Sequence, residues 1–273
     1  KIAFAALKSD GSVVTWGDAE YVGNTMSEGV ETVHSTHEAF AALMSDGSVV
    51  TWGDAEFVGD SKSVQAKLKK GVKTIYSNFF AFAALLSDGS LVTWGQHEEE
   101  CVKTDPSTQA KLQEKGVKQI FSTQGAFAAL LSDDSVVTWG EEYCGGDSSS
   151  VQEELKGVKT IYSNSRAFAA LLFDGSVVTW GDAGFGADSS SVQGDLKKGG
   201  VKTIYSTNYA FAALKSDGSV VTWGHHEYGG DNSSVQKKLK EKGVRTIYST
   251  DAAFAALMLD GSVVSWGDAD WGG

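Results

Sequence analysis

Residues 39–53 read AFAALMSDGSVVTWG, and this stretch decides the fold because close copies of it recur along the whole chain. Seven copies occur, each ending in Trp-Gly, and the tryptophans of successive copies lie 36 to 45 residues apart. A period of this length predicts one small unit of secondary structure per repeat, which buries its apolar face against its neighbours. The repeat tryptophans are Trp16, Trp52, Trp94, Trp139, Trp180, Trp223 and Trp266.

Each copy places two short β-forming runs on either side of Asp-Gly. In residues 39–53 these runs are AFAAL and SVVTWG. Asp-Gly between such runs predicts a hairpin with a two-residue turn in which both residues have positive φ. The fourth copy has Asp133-Asp134 instead. Keeping the same turn without glycine predicts a strain of about 1 kcal/mol.

A further strand and a polar insert complete the repeat. Residues 72–77 read VKTIYS, and a similar run precedes six of the seven hairpins. The insert at 147–156 has Ser150 and Glu153 at capping-box spacing, which predicts a short surface helix. Because the first hairpin lacks the preceding strand and the chain starts at Lys1, we expect a processed chain or part of a longer one.

Three strands and a polar insert, repeated seven times, predict an all-β fold. A ring of blades leaves no long free strand edge, so we expect a seven-bladed β-propeller with short surface helices. No linker-like tract interrupts the repeats, and residues 1–273 are therefore predicted to form a single domain. An open solenoid is the competing architecture.

The pattern A-F-A-A-L-x-x-D-G-S-V-V-x-W-G resembles the repeat of the regulator of chromosome condensation (RCC1-like) family. Gly-Gly-Asp at 145–147 and 229–231 is similar to the segment that follows Trp-Gly in that family. The resemblance covers essentially the whole chain and implies a seven-bladed propeller. It also implies a binding protein, since members act as exchange factors for a small nuclear GTPase, as enzyme inhibitors or as substrate-recruiting parts of ubiquitin ligases. A WD-repeat interpretation is weaker, because each repeat Trp is followed by Gly.

Composition narrows the possible partners. A net charge of −12 disfavours nucleic acids and anionic lipid surfaces, which both select basic proteins. The longest apolar runs are about six residues, whereas a membrane-spanning helix needs roughly 20, so no membrane span is predicted. Two cysteines form no disulfide framework. A bridge between Cys101 and Cys144 is conceivable, but free thiols are favoured.

No catalytic or cofactor site is predicted. The sequence has no G-x-S-x-G nucleophile elbow, and none of its five histidines lies in a triad context. The pair His225-His226, with His97 at the equivalent place in the third repeat, would bind a metal only if other ligands came close. The glycines recur with the repeat period and do not predict a phosphate-binding loop.

Two sets of loops are expected to share one face of the propeller. One set joins VKTIYS to AFAAL, and the other follows Trp-Gly. The six residues after each repeat Trp-Gly contain 13 Asp or Glu and no Lys or Arg, whereas most basic residues lie in the inserts and the strands after them, as at Lys67, Lys69 and Lys70. Such an acidic rim would steer a basic partner, or it simply keeps the protein soluble.

Phe79, Phe80 and Tyr209 are aromatic residues outside the repeat pattern, which is typical either of binding anchors or of local packing. The recurring aromatics Tyr21, Phe57, Tyr143, Phe185, Tyr228 and Trp271 are interpreted as packing between blades. Glu98, Glu99 and Glu100 make the third repeat the most divergent. The candidate partner-binding residues are His37, Glu38, Phe79, Phe80, Glu98, Glu99, Glu100, Arg166, Tyr209 and Asp251.

The sequence thus predicts a non-catalytic protein-interaction module. Its partner would be another protein, with a basic surface or within a larger complex. One alternative is a structural or accessory subunit that docks on an assembly through the lysine-rich inserts. A glycan-binding propeller with one shallow pocket per blade is a further alternative, although it requires equivalent loops in every blade.

Overall fold

The computed structural model describes residues 3–19, 21–23, 26, 28–54, 61–95 and 104–273. Over these residues the chain forms twenty strands in seven separate antiparallel sheets, which follow one another in chain order. The first sheet has two strands, β1 (Ala3–Leu7) and β2 (Val13–Gly17). Each of the others has three, as the sequence predicts.

In the six three-stranded sheets the chain runs through an inner, a middle and an outer strand. The second sheet contains β3 (Val30–Ser35), β4 (Ala39–Met44) and β5 (Val49–Gly53); the third, β6 (Val72–Ser77), β7 (Ala81–Leu86) and β8 (Leu91–Gly95); the fourth, β9 (Val117–Ser122), β10 (Ala126–Leu131) and β11 (Val136–Gly140); the fifth, β12 (Val158–Ser163), β13 (Ala167–Leu172) and β14 (Val177–Gly181); the sixth, β15 (Val201–Ser206), β16 (Ala210–Lys215) and β17 (Val220–Gly224); the seventh, β18 (Val244–Ser249), β19 (Ala253–Met258) and β20 (Val263–Gly267).

The inserts form short helices or turns, and each described insert from 61–70 onward buries one leucine. The helices are α1 (Pro106–Lys115), α2 (Gln193–Lys197) and α3 (Gln236–Lys242). In the insert at 147–156 the backbone N–H of Ser149 donates to Asp147 Oδ1 at 2.8 Å, and a single 3₁₀ turn follows. Ser148 holds the N-cap position of this turn, and Ser150, the predicted cap, lies within it. The buried leucines are Leu68, Leu112, Leu155, Leu196 and Leu239.

The hairpin turns differ from the predicted two-residue type. In the second sheet Met44 N–H donates to Ser48 O at 2.9 Å, which leaves three residues in the turn. Only Gly47 has positive φ, at 78°. Asp46 keeps an ordinary φ because its carboxylate accepts the Ser48 N–H at 2.9 Å. A turn with a left-handed glycine at its end is the common three-residue hairpin, so the prediction of positive φ at both residues was wrong.

The fourth sheet keeps this turn without glycine. Asp134 stands at the glycine position with φ of 63°, the one positive φ of a non-glycine residue in the described part of the chain. Its carboxylate binds Lys118 on the neighbouring inner strand. Asp134 thus keeps the left-handed conformation, the case for which the sequence predicts strain.

Successive sheets pack face to face and divide the core into separate junctions. At the junction of the fifth and sixth sheets, the Ala/Leu/Val face of one sheet covers the Phe/Ala/Trp face of the next. Side chains alternate between the two faces of a strand, so each sheet offers one face of each kind. The residues from the fifth sheet are Ala167, Ala169, Leu171 and Val177, and those from the sixth are Phe211, Ala213 and Trp223.

A Phe–Trp pair occurs in every sheet. Phe168 on β13 lies directly opposite Trp180 on β14, and the two rings stack with centroids 5.1 Å apart. Equivalent stacks in the other six sheets have centroid distances of 5.1 to 5.5 Å. The stack lies within one sheet, and its tryptophan also joins the core between sheets, as Trp223 does at the junction of the fifth and sixth sheets.

The loops that connect inner and middle strands converge around a central opening. Loops from the second to the seventh sheet line a common funnel of about 620 Å³. Such convergence on one axis is the arrangement of a propeller, whereas the units of an open solenoid share no central opening. The predicted seven-bladed propeller is confirmed.

Candidate functional site

Two sets of loops form one surface, which we call the loop face. The inner loops are residues 36–38, 78–80, 123–125, 164–166, 207–209 and 250–252. The outer segments are those described residues that directly follow a repeat Trp-Gly. Backbone hydrogen bonds of about 3 Å join the two sets within a blade. The donors to inner-loop carbonyls are Asp54, Glu141, Asp182, His225 and Asp268.

In the fourth to seventh blades the first residue of the inner loop fixes the loop to its outer segment. Asn164 Oδ1 accepts the Ala167 N–H at 2.8 Å, and Asn164 Nδ2 donates to Phe185 O at 2.6 Å. Thr207 makes the corresponding bond to Tyr228 O at 3.0 Å. Thr or Asn at this position is thus structural, and the two residues that follow it are available for contacts.

The inner loops are also linked to each other around the funnel. Backbone N–H groups of His37, Phe79, Gln124, Ser165 and Asn208 each donate to the next inner loop at 2.8 to 3.4 Å. The last acceptor in this series is Asp251 O. Among the described residues that line the funnel, Asp251 is the only Asp or Glu. The carboxylates of the expected acidic rim therefore lie further out, in the outer segments.

Arg166 and Tyr209, two predicted binding residues, belong to one continuous group that we call the aromatic strip. The Arg166 guanidinium lies 5.0 Å from the ring centre of Phe185, and Phe185 contacts Tyr209 with centroids 5.1 Å apart. Tyr209 packs on Tyr228 at 4.6 Å, and the strip continues to His225. At the other end Arg166 lies over Tyr143 at 5.4 Å. The strip crosses the fourth, fifth and sixth blades.

Sequence reasoning missed half of this strip. Tyr143, Phe185 and Tyr228 recur with the repeat and were interpreted as packing between blades. In the structure Tyr143 and Phe185 do contact the next blade, at Arg166 and Tyr209, whereas Tyr228 packs on Tyr209 within its own blade. These contacts lie on the loop face, and Tyr143 is exposed there. The repeat alignment could have predicted these contacts. It places the third residue of each inner loop beside the outer segment of the same blade, and in the structure a backbone hydrogen bond joins the two.

His37, Phe79 and Phe80 form a second aromatic group. The imidazole of His37 stacks on Phe79 with centroids 4.3 Å apart, and Phe80 contacts Phe79 edge-on at 4.8 Å. His37 Nδ1 also lies 3.7 Å from the Glu38 carboxylate. Four predicted residues of the second and third blades are thus brought together beside the funnel.

Some of the predicted residues cannot be placed. Glu98, Glu99 and Glu100 lie outside the described residues, as do Cys101, His97 and Phe57. Asp251 is exposed in the inner loop of the seventh blade. Its carbonyl oxygen, not its carboxylate, makes the link to Asn208, at 2.8 Å.

The acidic outer segments have a partly structural origin. Asp182 accepts the Gly184 N–H and Asp268 accepts the Asp270 N–H, both at 2.8 Å, so each caps a single-turn 3₁₀ helix. Glu142, Asp147 and Asp188 are exposed, and the last two accept the backbone N–H groups of Ser149 and Ser190. Glu142 lines a groove of about 700 Å³ together with Tyr143, Asp147 and Asp188. This groove, at the end of the aromatic strip, is acidic and has an exposed aromatic wall.

Cys144 is a buried free thiol. Burial, with a smaller effect from the adjacent Glu141 carboxylate, raises the pKa of Cys144 to about 12. A thiol is nucleophilic only as the thiolate, so Cys144 is unsuited to nucleophilic chemistry near neutral pH. Within the described ranges, no cluster of three His, Cys, Asp or Glu side chains is arranged to hold a metal ion. No helix of those ranges has the length and apolarity to span a membrane.

The fold is that of a seven-bladed β-propeller, and its repeats resemble the RCC1-like repeat. The chain is similar to the CRINKLY ectodomain of the receptor kinase ACR4 from Arabidopsis thaliana, with 15% identity, 97% of this chain and 93% of that chain covered, and a TM-score of 0.54. It is also similar to Prp20p from Saccharomyces cerevisiae, with 15% identity, 97% and 80% coverage and a TM-score of 0.51. No family model matches the sequence, and no curated protein matches it.

Proposed function

We propose that this chain is a non-catalytic protein-interaction module whose partner binds across the aromatic strip and the adjacent acidic groove. Propellers of this kind generally mediate protein interactions, and Prp20p was characterised for its binding to Gsp1p and histones. The observation that carries the proposal for this chain is the continuous stack from Tyr143 through Arg166 and Phe185 to Tyr209 and Tyr228.

The composition of this surface favours a protein partner with basic side chains. Tyr and Arg are the residue types that contribute most to binding at protein interfaces. Glu142, Asp147 and Asp188 lie beside Tyr143 in the groove, where they would attract a Lys or Arg of the partner. The backbone links between inner loops hold this surface in place before binding, which lowers the entropy lost on association.

The test combines capture with crosslinking. The purified chain is incubated with extract of its source cells and treated with carboxylate-reactive and lysine-reactive crosslinkers. Matched variants are Tyr143→Ser, on the strip, and Phe173→Ser, another exposed aromatic, which lies at the hairpin turn of the fifth sheet, away from the loop face. We expect a captured protein to crosslink to Glu142 or Asp188, to be lost at least tenfold from Tyr143→Ser and to be retained by Phe173→Ser.

Other outcomes would contradict the proposal. Capture that is unchanged in Tyr143→Ser, with crosslinks confined to Lys69, Lys115 or Lys238, would place the interface on the inserts and favour a structural subunit. Binding to immobilised oligosaccharides without any captured protein would favour a glycan-binding propeller.

A further inference from the structure

The second residue of the inner strand is basic and exposed in five consecutive blades, from the third to the seventh. Lysine is underrepresented in β-strands, so strand propensity does not account for this recurrence. The second blade has Glu31 at the same position. We call the five basic residues the basic arc. They are Lys73, Lys118, Lys159, Lys202 and Arg245.

A β-bulge sets this position apart from the rest of the strand. In the fifth sheet Val158 and Thr160 pair with consecutive residues of β13, so Lys159 has no partner there. The extra residue lets Val158 and Ile161 both join the core between the fourth and fifth sheets, and it leaves Lys159 outside that core. The other four strands of the arc have the same irregularity. Packing therefore does not require a basic side chain here, and the side chain is available for a ligand.

The basic arc lies at the end of the central channel opposite the funnel. The inner strands run side by side around this channel: Ser206 Oγ donates to Ser163 O at 2.9 Å, and the hydroxyls of Tyr162 and Thr203 are hydrogen-bonded at 3.2 Å. Ser163 and Ser206 are the last residues of their strands and line the funnel. Each residue of the arc precedes the last residue of its strand by four positions, or about 13 Å along the strand. The five cations thus lie at one level around the channel.

One member of the arc already has a carboxylate partner in its own blade. Lys118 pairs with Asp134, which occupies the glycine position of its hairpin turn. The turns of the other four blades have glycine at this position and offer no such carboxylate. Among the described residues, no ion pair involves the other four members of the arc. The channel end therefore has four cations without a counter-charge.

The aspartates of these four turns are held by the turns themselves. Asp174 Oδ1 accepts the backbone N–H of Ser176 at 2.8 Å and its hydroxyl at 2.6 Å. The same two bonds occur at Asp88, Asp217 and Asp260. Because each turn joins a middle strand to an outer strand, these carboxylates lie further from the channel than the inner strand. The surface thus has cations at its centre and carboxylates around them.

We propose that the basic arc binds a compact soluble anion that carries several phosphate groups. Lysine ammonium groups bind phosphate as flexible point charges, and four of them around one channel can contact several phosphate oxygens together. Phosphate groups concentrate more negative charge in a small volume than carboxylates do. The surrounding carboxylates and the net charge of −12 repel an extended polyanion such as a nucleic acid, or an anionic membrane surface. The site is separate from the loop face and does not depend on the partner proposed there.

The test is isothermal titration calorimetry of the purified chain with inorganic tripolyphosphate at physiological salt. In the double variant Lys159→Gln/Lys202→Gln we expect binding to be about tenfold weaker, because two unpaired cations of the arc are removed. The matched control is Lys237→Gln/Lys238→Gln, which changes the net charge by the same amount on the exposed side of α3. It should bind tripolyphosphate as tightly as the unaltered chain. Circular dichroism checks that each variant folds.

A second pair of variants should separate the arc from the overall charge. Asp134→Gly restores the glycine found in the other turns and frees Lys118, so tripolyphosphate should bind about threefold more tightly. Glu153→Gln removes the same charge at an exposed position of an insert and should leave the affinity unchanged. An equal gain in both variants would show that reduced general repulsion is the cause, and would contradict the proposal.

Three other results would overturn it. The first is the absence of measurable binding of tripolyphosphate, or an equal loss in the two lysine double variants. The second is equal affinity for citrate, because the arc would then select negative charge and not phosphate. The third is tighter binding of a double-stranded oligonucleotide, or of vesicles with phosphorylated headgroups, than of tripolyphosphate, which would assign the arc to a nucleic acid or a membrane.

Discussion

Phe211 shows how a single residue holds a junction. It is fully buried, stacks on Trp223 with centroids 5.4 Å apart and packs on Gly186. Phe4 occupies the same repeat position and makes the same stack with Trp16, but its outer side is exposed. Comparing Phe211 with Phe4 therefore separates two contributions to the free energy of unfolding: packing between sheets and the stack within a sheet.

We predict that Phe211→Ala lowers the free energy of unfolding by about 3–5 kcal/mol because it leaves a cavity in a packed core. Phe4→Ala should cost less than half as much, since part of that side chain is solvated in the folded state. Urea denaturation at low protein concentration measures both. Equal losses would show that the junctions contribute little beyond the stack.

The turn glycines allow a second comparison. Gly175 and Gly261 have nearly the same φ, 81° and 82°, but different surroundings. A Cβ on Gly175 would lie 2.6 Å from the backbone nitrogen of Gly200, whereas one on Gly261 meets nothing within 4 Å. We predict that Gly261→Ala costs about 1 kcal/mol from backbone strain alone, and that Gly175→Ala costs clearly more. Similar thermal shifts for the two variants would contradict this steric explanation.

At the scale of the element, the carboxylates of the hairpin turns make stability depend on pH. The turn carboxylate of Asp133 accepts hydrogen bonds from Lys115 Nζ and Ser135, and these lower its pKa to about 2. Its unfolded value is about 3.9. Because the folded-state pKa is depressed, the stabilisation is present above pH 4 and is lost as the pH falls towards 2. The exposure of this pair keeps its effect on stability small.

Carbon-detected NMR titration tests this assignment. In Lys115→Met the pKa of Asp133 should rise towards its ordinary value, because the first of its causes has been removed. Lys111→Met, on the same helix α1 (Pro106–Lys115), is the matched control and should leave the titration of Asp133 unchanged. If the pKa of Asp133 rose in both variants, the cause would be a general effect of positive charge and not the direct hydrogen bond from Lys115.

Elements were predictable from the sequence where the determinant was local. The VKTIYS, AFAAL and SVVTWG runs became strands because their β-branched and apolar residues alternate between two buried faces. The turn type was missed because Asp-Gly occurs in hairpins of more than one length, and the hydrogen bond from the Ser48 N–H to Asp46 decided between them. The aromatic strip was predicted only in part. Arg166 and Phe185 lie in two different loops, and only the folded blade brings these loops together.

At the scale of the whole molecule, stability should vary along the array. The hairpin 3–17 has two strands and half-exposed core residues, whereas 167–181 lies in a three-stranded sheet between two neighbours. We predict that native-state hydrogen exchange is fastest in the first hairpin and slowest in the second, because opening an end unit breaks one junction and opening a central unit breaks two. Uniform protection across the seven sheets would indicate one cooperative unit.

The backbone links around the funnel have an evolutionary consequence. Each link from His37 to Asp251 uses only N–H and C=O groups, so it survives any substitution that keeps the loop conformation. Recognition side chains can then diverge blade by blade while their support stays the same. Duplicated repeats can thereby acquire new specificities one loop at a time, and the same property makes these inner loops suitable positions for grafting designed binding residues.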